Sequence, residues 1–161
     1  MSSEHAPIER CSECQAAISG GRMGCQTLFD SLQARARTDM AYAPTFRLAF
    51  DTYCMQHPDT YCRSAKSFAA HLMGLCCGID YAGKPAIYAA IQRWLNGPKA
   101  LEKPPVPAER GAMTVCDLAS ASTAHAYAQL VHQWAAAVWE CYHAQQMIAH
   151  AWIAAALAER L

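Results

Sequence analysis

The sequence predicts an all-α fold: about five helices in an irregular bundle, capped by a loop-rich, cysteine-containing N-terminus. Three observations carry this. Alanine, the best helix former, supplies 33 of the 161 residues, while Val, Ile and Thr together supply 18. Apolar residues recur at helical spacing, with prolines and hydroxyl residues where the runs begin. Hydrophobic residues make up 53% of the chain and charged residues 16%, which argues against long disorder. The length suits one core, so residues 1–161 are read as a single domain.

Residues 1–26 hold Cys11, Cys14, Cys25 and the pair Gly20–Gly21 with weak periodicity, and are read as a cap. A first helix is expected from about residue 27 to 37, burying Leu28, Phe29 and Leu32. Pro44 opens a second, which His57–Pro58 closes; Phe46, Phe50, Tyr53 and His57 share one stripe. Ser64 starts a third, reaching about Ile79, with Phe68, Leu72, Leu75 and Ile79 inward. Another face of that helix carries Ser64, Ser67, His71, Gly74 and Gly78, whose small residues admit a second helix closely. Pro85 starts a fourth through Ile87, Ile91 and Trp94, and Asn96-Gly97-Pro98 stops it. Residues 98–116, with Pro104, Pro105 and Pro107, are read as an extended crossover linker. Residues 117–123 supply caps for one long helix, allowing a kink, to about Arg160. Tyr127, Leu130, Trp134, Val138, Cys141, Gln145, Ile148 and Trp152 form its inward stripe.

Thirteen basic and thirteen acidic residues balance, which excludes nucleic-acid binding driven by phosphate neutralisation. The longest uncharged run, residues 118–139, contains His125, Gln129, His132 and Gln133, so it reads as a buried helix and not a membrane span. The first ten residues have no apolar stretch of signal-peptide type. Nine cysteines are therefore expected to stay reduced, in the cytoplasm.

Cys11-Ser-Glu-Cys14 is the sharpest local signal. Two thiolates at this spacing bind one Zn²⁺ in a tight knuckle, and Cys25 follows after ten residues. Gly20, Gly21 and Gly24 let the chain fold back. Three thiolates need a fourth ligand. Structural zinc is favoured over two alternatives. A thioredoxin-type redox pair needs a strand before the motif and a helix after it, and the ten polar residues before Cys11 do not suggest that strand. Ordinary free cysteines are the other.

His57 lies on an apolar stripe just before a proline. It is either a ligand or catalytic group, or a core histidine with satisfied nitrogens. His71 either points into a helix crevice beside His57 or is a packing histidine bonded to a carbonyl. Asp51, off the core stripe and four residues after Arg47, can pair with that arginine. His125, His132, His143 and His150 fall within about 20° of one another on a straight helix, on a face read as solvated or partner-facing. The remaining cysteines read as small hydrophobes. There is no glycine-rich phosphate loop and no nucleophile elbow.

Taken together, these residues resemble a family of short bacterial proteins, a domain of unknown function. Its pattern is an N-terminal CxxC, a later cysteine, D-x-Y-x-x-Q-H-P, S-x-x-x-H-L, T-V-x-D and W-A-x-x-V-W. Here these fall on Cys11, Cys14, Cys25, Asp51, Tyr53, Gln56, His57, Pro58, Ser67, His71, Leu72, Thr114, Val115, Asp117, Trp134, Ala135, Val138 and Trp139. Members often carry histidine where this chain has Phe46, and a His-His pair near Gln145–Gln146. The resemblance therefore implies that part of a second site has been lost here. It implies no activity.

The residues point to a zinc-stabilised binding or adaptor protein, with Cys11, Cys14, Cys25, His57 and His71 as candidate ligands. The alternative is a metal-dependent hydrolase or transferase with an open site at His57 and His71 in the bundle. The expected partner is a protein or small molecule. Residues 118–158 contain one formal charge, Glu140, and Trp139 is assigned to the outer face, so a second copy is expected to dock on the C-terminal helix; the alternative is a monomer whose linker and other helices wrap it as a central helix.

Overall fold

The computed structural model describes residues 7–159. Residues 1–6, which enter the cap and signal-peptide readings, and Arg160, the expected end of the last helix, lie outside the described residues. The chain opens with a hairpin of β1 (Ile8–Arg10) and β2 (Ala17–Ser19), antiparallel, with Glu9 opposite Ile18. The helices follow: α1 (Gly21–Thr38), α2 (Phe46–Gln56) behind a 3₁₀ turn at Ala43–Thr45, α3 (Pro58–Tyr61), α4 (Ala65–Asp80), α5 (Pro85–Asn96), α6 (Val115–Leu118), α7 (Ala124–Cys141) and α8 (Gln146–Ala158). The all-α reading holds at this level, and the count of five does not. The additions are the single turns α3 and α6 and the division of the long last helix in two.

Local chemistry explains most boundaries. Ser64 accepts from the Ser67 amide while Ser67 accepts from the Ser64 amide, a reciprocal cap that starts α4 where the sequence placed it. Thr114 and Asp117 cap α6 in the same way, and Thr123 caps α7. Proline stands at the first turn of α3 and α5.

Two boundaries are corrections. The first helix begins at Gly21, inside the expected loop-rich cap, and Cys25 lies on it and not in a loop. Gly20 and Gly21, at φ 80° and 55°, turn the chain out of β2 into the helix. Glycine disfavours a helix interior, but Gly24 is where α1 crosses β2, and a Cβ there would lie 1.8 Å from the Ser19 carbonyl oxygen. The last helix breaks after Cys141 with no proline or glycine to announce it. Tyr142 is fully buried and donates to the Met55 carbonyl at 2.6 Å, a 3₁₀ turn follows at His143–Gln145, and Gln146 caps the Trp139 carbonyl at 3.1 Å. The chain thus redirects from α2, which α7 packs on, to α5, which α8 packs on.

Helix α4 is central: α2, α5, α7 and α8 all pack on it. Its small-residue face works as read, because α2 closes onto Gly74 and Gly78, where added Cβ atoms would meet Asp51 and Leu48. Residues 98–114 contain no helix or strand. They are held down by Gln56, which donates to the Arg110 and Met113 carbonyls at 2.8 and 2.7 Å, and by Gln145, which donates to Pro105 at 2.7 Å. Trp139 is only 6% exposed, so its assignment to the outer face is wrong; it lies in the core. On a straight, unbroken helix it would have faced outward, but α7 is buried against neighbours on several sides.

Candidate metal centre

Four buried side chains converge from three places. Cys11 and Cys14 stand at the ends of the turn joining β1 to β2. Cys25 comes from the second turn of α1, and His57 is the residue at which α2 ends. Their donor atoms all lie within 4.8 Å of one another. Cys14 Sγ is 3.8 Å from Cys25 Sγ; His57 Nε2 is 3.4 Å from Cys25 Sγ and 3.6 Å from Cys11 Sγ. Tetrahedral zinc with Zn–S of about 2.3 Å and Zn–N of about 2.0 Å sets S···S at about 3.8 Å and S···N at about 3.5 Å. The group is compatible with a metal ion of that size.

The knuckle is shaped by backbone bonds. The Cys11 amide donates to Ala16 at 2.8 Å and the Gln15 amide to Cys11 at 3.0 Å, with Gln15 left-handed at φ 65°. The amide of Ala16 favours the Cys14 thiolate. Cys25 is held far below the ordinary thiol range, at about 4, foremost by the contact with Cys14, then by His57 and Tyr53 against the effect of burial. The same contact, with burial, pushes Cys14 up. A metal cation bound here would take these sulfurs as thiolates and release their protons.

The histidine is oriented by its other nitrogen. His57 Nδ1 lies 2.7 Å from the Tyr53 carbonyl, which can only accept, so Nδ1 carries a hydrogen and Nε2 is the nitrogen turned to the sulfurs, the one a metal ion would take. Tyr53 supports the site twice more. Its ring stacks between Phe29 at 3.8 Å and His57 at 3.9 Å, and its hydroxyl lies 3.5 Å from Cys25 Sγ. Burial, then Cys25, raises the Tyr53 pKa, which keeps that hydroxyl a donor. Arg22 donates to the Tyr53 oxygen at 3.0 Å and to Glu13 at 3.0 Å. Glu13, inside the CxxC, also accepts from the Asp59 amide at 2.8 Å and the Thr60 hydroxyl at 2.7 Å. Burial opposes its charge, but these bonds and His57 hold its pKa below the ordinary value. Glu13 therefore fastens the knuckle to α3.

Residues 9–143 match the model of a family of unknown function, DUF5946. The chain belongs to this family. No curated protein and no solved structure matches it. The family match spans all four donors of the cluster.

His71 is not part of the cluster. Its Nδ1 lies 2.9 Å from Asp51 Oδ1, a carboxylate and not the carbonyl of the simpler sequence reading. Asp51 is 5% exposed, contrary to its placement off the core, and burial raises its pKa against the pull of His71 and Arg47. Arg47 stacks on the Tyr88 ring at 4.0 Å and makes no ion pair with Asp51. Asp51 and His71 line a pocket of about 400 Å³ with Phe46, Phe50, Ile91 and Leu95. Of the positions tied to a lost site, Phe46 lines this same pocket and Gln145 holds the linker.

A three-residue strand does precede Cys11, against the sequence reading. The CxxC nevertheless sits in a hairpin turn and not at a helix N-terminus, which removes the thioredoxin geometry. Sequence reasoning missed Tyr53, Glu13 and Arg22 as supports. Tyr53 was visible inside the D-x-Y-x-x-Q-H-P motif; nothing in the sequence marked Glu13 or Arg22.

Proposed function

We propose that this chain is a zinc-stabilised helical binding protein in which Cys11, Cys14, Cys25 and His57 hold one structural Zn²⁺. The observation that carries the reading is the buried set of four donors with His57 Nε2 already turned to the sulfurs. Three thiolates and one imidazole form a closed structural zinc set with no position for substrate. Such an ion would tie the hairpin, α1 and the end of α2 together, and its binding free energy would add directly to folding. Nine free thiols among the described residues support a reducing compartment such as the cytoplasm. Among those residues no helix is long and apolar enough to cross a membrane.

Metal analysis of protein purified with reductant tests this directly. One zinc per chain is expected, absent from a Cys11→Ser/Cys14→Ser variant. Chelation of wild type should lower Tm and expose the hairpin and α1 amides to exchange. Protein that is metal-free yet equally stable would sink the reading.

The runner-up is an enzyme. The four-donor cluster does not favour it, since hydrolysis or transfer at a metal needs an open position. What favours it is His71, oriented by Asp51 at the wall of a pocket, as a general base is held. A binding pocket uses the same features, with Arg47 beside the apolar wall for an anionic ligand. NMR with small aromatic carboxylates and their neutral amides tests the pocket. Carboxylates should shift Ile91 and His71, and Arg47→Ala should abolish the difference.

A further inference from the structure

A second set of donors lies between α4 and α8. Cys76 and Asp80 stand four apart at the end of α4, and His150 faces them from α8. Asp80 Oδ2 is 2.9 Å from His150 Nε2, and Cys76 Sγ is 3.9 Å from the same nitrogen and 4.0 Å from the same oxygen. All three donor atoms lie within 4.8 Å of one another. By sequence pattern alone Cys76 reads as a small hydrophobe and His150 as part of a solvated or partner-facing stripe. His125, His132 and His143 are exposed, but His150 is partly covered, and the break before α8 takes it off any common helix.

We propose that Cys76, Asp80 and His150 form a second, open site for a divalent cation of the zinc class. A thiolate, an imidazole and a carboxylate suit such a borderline ion, and the paired spacings approach those of a tetrahedral shell. Helix geometry supplies the pair on α4, because residues four apart share a face. The ring of His150 is already steered: its Nδ1 lies 3.1 Å from the Tyr81 hydroxyl, leaving Nε2 toward Asp80, and Trp139 packs edge-on at 6.4 Å. Three protein donors leave one tetrahedral position. The side chains of Asp80 and His150 are 32% and 42% exposed, so that position faces solvent and takes an exchangeable ligand. Binding releases one proton, from the Cys76 thiol; the hydrogen that Nε2 donates to Asp80 is relocated to Nδ1, which then donates to the Tyr81 oxygen, so that the Nε2 lone pair and the carboxylate are both free for the ion. The site differs from the cysteine cluster in both residues and openness, and it does not depend on that cluster being filled.

Titration of the full-length, reduced chain with Zn²⁺ and Co²⁺ against a chromophoric chelator tests this. Two equivalents are expected, the second at least tenfold weaker, and His150→Gln and Asp80→Asn should each leave one equivalent with unchanged far-UV circular dichroism. In the Co²⁺ spectrum, Cys76→Ser should remove only the component of a single thiolate. If wild type takes one equivalent and His150→Gln loses it, this site stands and the cysteine cluster is the empty one. One equivalent that persists in His150→Gln overturns the proposal, as do two that persist there or none at all.

Discussion

Each of the five fixed residues of the D-x-Y-x-x-Q-H-P run has a separate task. Asp51 orients His71, Tyr53 serves Cys25 and His57, Gln56 binds the linker and accepts from Trp134 at 3.0 Å, His57 faces the sulfurs, and Pro58 opens α3. Tyr53→Phe keeps the ring between Phe29 and His57 and removes the hydroxyl. Zinc affinity should fall about 10–100-fold, the usual cost of losing such a supporting bond, with helicity kept. Chelator competition reads the first and circular dichroism the second. Asp51 makes a pH prediction. Its folded pKa is raised, first by burial, above the ordinary 3.8. The folded state therefore binds this proton more tightly than the unfolded chain. The resulting stability is full below that value and is lost as pH rises through the folded pKa. The amide introduced by Asp51→Asn can still accept from His71 but does not titrate. Urea unfolding of Asp51→Asn and wild type should thus diverge in favour of the variant from about pH 4 upward. A constant difference across that range would contradict the assignment.

At the scale of elements, close approaches decide the geometry. The capping residues Ser64 and Thr123 and the proline at the first turn of α5 are local signals, so their helices were legible in sequence; Pro58 reads instead as the end of α2, and the single turn α3 was not legible. The start of α1 was not, because glycine-rich residues 20–24 look like a loop until β2 is placed beside them. Gly24→Ala must push α1 off the Ser19 carbonyl, and backbone cannot yield as a side-chain tip does. Overpacking of this kind costs about 1–3 kcal/mol. The displacement would also move Cys25, one residue on, away from Cys14 and His57. Denaturant unfolding should show the loss, and zinc affinity should fall with it. An unchanged affinity would mean that α1 is not what positions the third thiolate.

For the whole molecule, α8 raises the question of assembly. It carries no formal charge from Gln146 to Ala158, and Met147 and Ile148 are 84% and 39% exposed. Ile148, Ala151, Ala155 and Ala158 recur at helical spacing on its exposed side. We propose that this face pairs with a second copy, the simplest closed arrangement for a self-complementary patch. Light scattering at micromolar concentration should give twice 17.6 kDa, and Ile148→Glu should return it to 17.6 kDa while staying helical. Trp139→Glu, which an outward Trp139 would have recommended, is expected to unfold the chain, since that ring is buried. A monomeric wild type ends the dimer proposal.

By itself the sequence determined the helical class, the capped starts of α4, α5 and α7, the CxxC and the small-residue face of α4. Each is written in neighbouring residues, through helix propensity, caps or spacing along one turn. Only the tertiary structure decided which groups meet. His57 joins sulfurs 46 and 32 positions away, and His71, one motif further on, goes to Asp51 instead. Cys76 finds His150 across 74 residues, after a break in the last helix that Tyr142 imposes by anchoring on Met55. Periodicity tells which side of a helix is buried, but the partner on that side depends on how helices distant in sequence cross. That crossing is set here by the absent side chains of Gly24, Gly74 and Gly78 and by the bonds of Glu13, Gln56 and Tyr142.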